Sequence, residues 1–185
     1  PAREGGEGRS EMTESRGIAR WRSALASARV IGVASVFGLF ALLVVAAGLT
    51  LPIAGTSVVT DPREVFTTLG AALTGSLGGA LIGVLAAIGE PQGMALASLV
   101  AHVPAGIWMG WAYKRLVYGR LPMPWLLPGW FALVIATYAL FLVPGFVLGA
   151  RWFYPATYAD SYGAGASIPA AVLQLGRGAL PEAII

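Results

Sequence analysis

The side chain with the widest chemical range in this sequence is its single histidine, His102. It lies in a stretch, residues 91–113, that contains no Asp, Glu, Lys or Arg. If residues 93–113 of that stretch form a membrane helix, His102 lies about nine residues, or roughly 13 Å, from its start. Burying an ionisable group at that depth costs free energy unless a partner compensates it. Three roles fit this position: substrate binding, ligation of a haem or chlorophyll, or a neutral histidine bonded to a carbonyl that Pro104 leaves free.

Polar and aromatic groups elsewhere could belong to the same binding site. Glu90 and Gln92 flank a proline in a turn, where they could be solvated or could meet a polar ligand at the mouth of a helix bundle. Trp152 and Tyr154 begin a Gly-containing aromatic segment that could close over such a mouth or could mark the membrane interface. The candidate substrate-binding residues are therefore Glu90, Gln92, His102, Trp152 and Tyr154.

Catalytic and nucleotide-binding patterns are missing from the sequence. It has no GxSxG, HExxH or Walker A pattern, and GSLGG at residues 75–79 does not follow a predicted strand. The absence of cysteine excludes thiol chemistry and cysteine-based metal sites. The net charge of +3 forms no basic stripe interleaved with aromatic residues, so no nucleic-acid partner is expected. We expect a protein that is not an enzyme and has no resident cofactor or metal, with haem or chlorophyll at His102 as the alternative.

The composition around these residues is typical of a membrane protein. Hydrophobic residues make up 57% of the 185 residues and charged ones 11%, whereas soluble domains carry about 25% charged residues. We therefore predict an all-α polytopic membrane helix bundle of five to six transmembrane helices, with membrane lipid as a partner. Each of the stretches without Asp, Glu, Lys or Arg is long enough to cross a bilayer core of about 30 Å: residues 30–60, 65–89, 91–113 and 121–150.

The two ends of the chain differ from this apolar centre. Residues 1–23 are mostly polar and unpatterned, and we predict a mobile cytoplasmic tail there. Residues 24–185 are predicted to form the transmembrane domain, which we expect to be incomplete at its C-terminus. Within it, residues 151–177 are predicted as a loop, and a final helix is predicted to start near Ala179 or somewhat earlier.

The charges between the apolar stretches favour a hairpin over a single helix at residues 65–89. Basic residues concentrate on the cytoplasmic side of membrane proteins. With the Arg-rich N-terminus in the cytoplasm, a single crossing by residues 65–89 would place the basic cluster at residues 114–120 outside. Two short helices broken near residues 75–79 restore the rule and place Glu90 outside. The same segment has small residues at every fourth position, which we assign to close helix packing: Ala71, Gly75, Gly79 and Gly83.

Three segments of the sequence together resemble one family of membrane proteins. The first is PREVFTTLGAALTGSLGGALIGVLAAIGEPQG, residues 62–93, the second WMGWAYKRL, residues 108–116, and the third ALPEAII, residues 179–185. They resemble the substrate-binding S components of energy-coupling factor (ECF) transporters, which import vitamins and metal ions. In that family a Gly-rich stretch forms two short helices that turn on a small-residue pair, and the next helix ends in a basic patch. The resemblance covers about residues 24–185.

This resemblance implies a substrate-binding subunit for a vitamin-like molecule or a metal ion, without an ATPase of its own. Its partners would be a coupling membrane subunit and ABC-type ATPases, in a bacterial or archaeal plasma membrane with the N-terminus cytoplasmic. S components dock on the coupling subunit through small residues spaced by four on the first helix. The residues that match this spacing are Ala24, Ala28, Ala34 and Gly38, although ordinary packing within the chain would account for them equally well.

Two further functions fit the same pattern. A non-catalytic accessory subunit of a larger respiratory or photosynthetic membrane complex, possible pigment binding included, would have broad helix interfaces and no ligand pocket. A sensor module resembling the membrane domains of LytS-type histidine kinases would be followed by a cytoplasmic signalling domain. The S component hypothesis instead predicts a polar pocket between the Glu90 turn and the segment after Arg151.

Overall fold

The computed structural model describes residues 7–49, 51–52, 59–60, 62–90 and 93–179, and of residues 7–25, 51–52, 59–60 and 178–179 it describes the backbone alone. This part of the chain is helical apart from one short antiparallel pair, β1 (Leu51–Pro52) with β2 (Val59–Thr60). The helices are α1 (Glu7–Ala46), α2 (Arg63–Thr74), α3 (Ser76–Ile88), α4 (Ala95–Ala112), α5 (Met123–Thr137), α6 (Val143–Phe153), α7 (Pro155–Tyr162) and α8 (Ile168–Ala179). Helix α1 thus extends into the range predicted as a tail.

Three helical segments among the described residues are long and apolar enough to cross a bilayer: Ala26–Ala46, Ala95–Val117 and Met123–Phe153. The second is α4 prolonged by a π-helical turn, and the third joins α5 to α6 through another such turn. The third segment has 31 residues and extends about 46 Å at 1.5 Å per residue, more than the hydrocarbon core requires. The predicted all-α class is confirmed, and these segments are typical of an integral membrane protein.

Residues 65–89 belong to a hairpin of two short helices, α2 and α3, as the charge pattern predicts. The chain reverses at Gly75, whose φ of +83° is rarely adopted by residues with a side chain. The open ends of the two arms meet, since Arg63 Nη1 lies 3.1 Å from Glu90 Oε2. Arms of 12 and 13 residues are about 18–20 Å long, so each is shorter than a full bilayer crossing.

The small-residue face of this hairpin lies directly on the backbone of α4. A Cβ atom on Gly79 would overlap the backbone of Gly106, and one on Gly83 would come within 2.5 Å of the His102 carbonyl oxygen. On the facing helix, a Cβ atom on Gly110 would overlap the backbone at the hairpin turn. Helices α3 and α4 are therefore antiparallel and in backbone contact, which only residues without side chains permit.

The antiparallel arrangement gives the bundle two distinct ends. At one end the mouth of the hairpin lies with the start of α4 and the end of α6, where Gly149 meets the backbone of Ala97. We call it the carboxylate end because it holds Glu64 and Glu90. At the other end the hairpin turn lies beside Lys114 and the first residues of the Ala26–Ala46 span. We call this the basic end, and the start of the first span and the basic cluster at residues 114–120 share it.

Residues 151–177 differ from the predicted loop, because most of them are helical, in α7 and α8. The last described helix begins at Ile168 rather than near Ala179. A proline in the first turn of a helix breaks no hydrogen bond. Pro155 and Pro169 both occupy such positions. The two helices cover an apolar cluster at the carboxylate end: Met94, Ala97, Val147, Ala150, Tyr158 and Ala171.

Candidate functional site

The carboxylate end holds a buried pair of ionisable side chains contributed by two helices. Glu64, in the first turn of α2, places Oε1 2.8 Å from Nε2 of His102 on α4. The side chains of His102 and Glu64 are 6% and 14% exposed. The pair joins residues 38 positions apart in the chain, and the hairpin brings them together by folding α2 back against α4.

The second nitrogen of His102 determines how this pair is protonated. Nδ1 lies 2.8 Å from the carbonyl oxygen of Ser98, which can only accept a hydrogen bond, so Nδ1 carries a hydrogen. A hydrogen must also lie between Nε2 and the Glu64 carboxyl, because two bare acceptors 2.8 Å apart would repel each other. The pair is therefore either an imidazolium with a carboxylate or a neutral imidazole with a carboxylic acid. In both forms its total charge is zero.

Arg63 and Glu90 extend the pair into a buried network of four ionisable residues. Arg63 Nη1 donates to Glu90 Oε2 at 3.1 Å and to the carbonyl of Ala86 at 3.4 Å, and its Nε is 3.5 Å from Glu64 Oε1. Thr67 Oγ1 donates to Glu64 Oε2 at 2.9 Å. One arginine balances one glutamate, and the Glu64 pair is neutral, so the network has no net charge. Such compensation is what makes burial of charged groups in an apolar bundle tolerable.

A small cavity adjoins Glu64 and His102. Its volume is about 10 Å³, close to the least that holds one water molecule. Small-molecule pockets usually have about 300–1,000 Å³, so a vitamin-sized ligand does not fit between these side chains as they are packed. A larger substrate pocket beside His102 would therefore require these side chains to move apart. The lining consists of Glu64, Thr67, Thr68, His102, Ala105, Gly106, Met109, Thr137 and Leu142.

Sequence reasoning does not single out Arg63 or Glu64, although both are central to the network. Charged residues are common where a helix begins, and an acidic residue there complements the helix dipole. A signal was nevertheless present in the spacing. Glu64 lies seven residues before Ala71 and therefore on the same helical face as the small-residue series. A hairpin that packs this series on α4 also directs Glu64 into the bundle.

The other predicted binding residues are spread over the carboxylate end. Glu90 belongs to the network, whereas Gln92 lies outside the described residues. The hydroxyl of Tyr154 accepts a hydrogen bond at 3.3 Å from a backbone N–H at the start of α4. Trp152 is 64% exposed. The structure thus brings Glu90 and His102 into one network, places Tyr154 at the edge of the same end and leaves Trp152 on the surface.

Polar contacts hold the α7 segment over this end. Tyr158 donates to the carbonyl of Ala166 at 3.1 Å, and Arg151 donates to the same carbonyl at 3.1 Å. The guanidinium of Arg151 also lies over the Tyr158 ring, 5.5 Å from its centre. Burial, and after it the neighbouring Tyr158, raises the pKa of Tyr162 above its ordinary value, so this phenol stays neutral at physiological pH. The segment is therefore an ordered cover rather than an open loop.

The small residues predicted for partner docking divide between the interior and the surface. Ala34 is fully buried, and Gly38 meets the side chain of Leu85 on α3. Ala28 is exposed, while the side chain of Ala24 lies outside the described part of the chain. Packing within the chain thus uses the second pair, and Ala28 remains accessible to a partner.

The alternative of a haem or chlorophyll at His102 has to be weighed against the bonds that this side chain already makes. Nδ1 bonds to Ser98 and Nε2 to Glu64, so a pigment could reach the ring only by displacing one of them. Among the described residues, no three His, Cys, Asp or Glu side chains are placed to hold a metal ion.

The chain was also compared with protein-family models, with curated proteins and with solved structures. No match was found in any of the three comparisons. Function is therefore inferred from the residues and from the geometry in which the fold places them.

Proposed function

We propose that this chain is the membrane-embedded substrate-binding subunit of an ECF-type importer for a small molecule, vitamin-like or a metal ion, without its own ATPase. The observation that carries the proposal is the buried network of Arg63, Glu64, Glu90 and His102 at the mouth of the hairpin. Ionisable groups inside a membrane bundle are costly and usually mark a substrate or ion path. The two short helices that turn at Gly75 support the same proposal, since S components share this feature.

In this proposal the hairpin arms and α8 count as membrane segments, which makes six spans in a bacterial or archaeal plasma membrane. The basic end and the N-terminus lie in the cytoplasm, and the carboxylate end faces outward. A coupling membrane subunit and ABC-type ATPases are the partners. The exposed Ala28 is the described residue best placed for docking on the coupling subunit.

Substrate would reach the network by displacing side chains that are now packed together. The cavity beside Glu64 and His102 holds about one water molecule, so the described arrangement corresponds to a closed state. In this proposal, opening separates the side chains from α2, α4 and α5 that line the cavity. The network then exchanges its internal partners for polar groups of the substrate.

The small volume of this cavity also favours a second function, a non-catalytic accessory subunit of a larger membrane complex. In such a subunit the network would hold α2 against α4 and would never exchange partners. The sensor-module alternative stays a prediction. The two leading functions differ in whether a small molecule binds at the carboxylate end.

Affinity purification of the tagged chain from its source cells distinguishes them. We expect a coupling protein and two ABC-type ATPases to co-purify, together with a small molecule that mass spectrometry detects after denaturation. Glu64→Gln should lower the amount of that molecule about tenfold or more, because a hydrogen bond to a charged group is worth about 1.5–3 kcal/mol. Asp160→Asn removes an exposed carboxylate and should have no effect. Absence of the ATPases, with no released molecule, would favour the accessory subunit.

A further inference from the structure

A groove at the basic end carries an inference that is independent of the carboxylate-end network. The groove has a volume of about 510 Å³ and is open to the surface. It lies between the first residues of the Ala26–Ala46 span, the hairpin turn and the last turns of the α4 segment. Because two membrane-spanning segments end here, the groove lies at the level where lipid headgroups meet water.

The groove is positively charged. Lys114 and Arg115 line it, and neither side chain has an ion-pair or hydrogen-bond partner among the described residues. None of the described lining residues is acidic. The Lys114 ammonium reaches the hairpin turn, since a Cβ atom built on Gly75 would lie 2.8 Å from its Nζ. An anion in the groove would therefore meet two cations that have no acidic partner among the described residues.

The start of α3 adds hydrogen-bond donors to the same place. Helix α3 begins at Ser76, which lines the groove, and continues for 13 residues. The first N–H groups of a helix have no acceptor within the helix, and the helix dipole places partial positive charge there. This feature only reinforces the cations, which are the primary attraction for an anion.

Apolar side chains next to these cations favour a lipid over a small inorganic anion. Val30, Leu77 and Trp111 line the groove, and the last two are 72% and 48% exposed. Tryptophan at the end of a membrane helix typically lies at headgroup level, with its ring beside the upper acyl chain. A ligand with an anionic head and apolar chains would contact both the basic and the apolar residues that line the groove.

We propose that the groove binds an anionic phospholipid. Its phosphate would lie between Lys114, Arg115 and the start of α3, and its acyl chains would lie along Leu77 and Trp111. Basic pockets between membrane helices bind anionic headgroups through the same combination of charge and apolar wall. The proposal does not depend on a transport function.

Native mass spectrometry of the full chain, with phosphatidylglycerol or phosphatidylcholine added, tests this site. Phosphatidylglycerol should be retained and phosphatidylcholine should not. The double variant Lys114→Gln/Arg115→Gln should bind phosphatidylglycerol about 30-fold more weakly, because each basic residue contributes about 1 kcal/mol near an anionic headgroup. The matched control Arg120→Gln/Arg177→Gln removes two exposed basic residues that do not line the groove, and it should bind like the unchanged protein.

A second variant tests whether the lipid is retained by the groove itself rather than by the overall charge of the protein. Ala26→Trp fills the groove from an exposed position, leaves every charge in place and should also displace phosphatidylglycerol. Equal retention of the two lipids, or unchanged phosphatidylglycerol binding by Ala26→Trp, would overturn the proposal. So would inorganic phosphate that binds as tightly as phosphatidylglycerol, because the acyl chains would then contribute nothing. A protein partner that occupies the groove and excludes lipid would overturn it as well.

Discussion

Glu64 and His102 share one proton, and this limits what either residue can do alone. The carbonyl of Ser98 holds the imidazole in one orientation, so Nε2 can point only toward Glu64. Removing either partner leaves the other largely buried and without its charge-compensating contact. Any loss of ligand binding on mutation of His102 must therefore be separated from a loss of stability.

A double-mutant cycle on this pair makes the separation. His102→Ala and Glu64→Ala should each lower the free energy of unfolding by about 3–5 kcal/mol, since each leaves an unpaired buried group. The double variant should cost less than the sum of the single ones, with a coupling energy of about 0.5–3 kcal/mol. Unfolding in detergent micelles, followed by circular dichroism, measures these values. Asp160→Ala, at an exposed site, is the control, and additive effects of the two single changes would mean that the pair does not form.

At the scale of elements, the hairpin and α4 depend on each other. Backbone contact between α3 and α4 requires glycine at the facing positions, and that contact in turn places Glu64 beside His102. Helices α1 and α4 pack against both arms of the hairpin. In the proposed six-span arrangement these contacts support arms that are shorter than the bilayer.

Substitutions on α3 test this dependence directly. Gly79→Leu and Gly83→Leu should each destabilise the fold by more than about 4 kcal/mol, because the new side chains would overlap the α4 backbone. Leu81→Ala should cost about 1 kcal/mol, which is the usual effect of a single substitution. The yield of monodisperse protein after size-exclusion chromatography reports the difference.

The matched control for these substitutions is Gly32→Leu in α1, where no atom lies within 4 Å of the added Cβ. It introduces the same side chain on a membrane helix and should be tolerated. Mild and equal effects from all four variants would indicate that the α3 face meets lipid rather than α4.

At the scale of the whole molecule, the segments that the charge pattern assigns to the same side of the membrane lie at the same end of the bundle. The fold places the start of the first span, the hairpin turn and Lys114 at one end. It places Glu90 and the cover formed by α7 at the other. An anionic phospholipid at the basic end would suit a cytoplasmic leaflet, whose anionic lipids attract basic segments beside membrane helices.

Single cysteines test this orientation, and the chain has no native cysteine to interfere. Tyr118→Cys, at an exposed position of the basic end, should react with a membrane-impermeant maleimide only after the cells are permeabilised. Gly165→Cys, between α7 and α8, has no atom within 4 Å of its Cβ and should react in intact cells. Reaction of Tyr118→Cys in intact cells would reverse the proposed topology, and reaction of both would mean that the two positions share one side.

Much of this architecture follows from local features of the sequence. Long stretches without charge specify membrane helices because the bilayer cannot solvate charged groups or an unpaired backbone. The alternation of basic and acidic turns is enough to predict the hairpin at residues 65–89. The four-residue spacing that begins at Ala71 predicts a close-packed face, because helical periodicity alone determines which residues share a side.

Only the tertiary structure decided which groups meet across the bundle. The contact between Glu64 and His102 spans 38 positions, and no local pattern determines such a distance. The helical cover formed by α7 and α8 is likewise stabilised by apolar contacts with α4 and α6, which override the loop signal of its glycines. The cavity beside His102 is small because side chains from α2, α4 and α5 converge there. Residue types and periodicity determine the elements and their faces, whereas packing among distant elements determines the partners of a buried charge and the space left beside it.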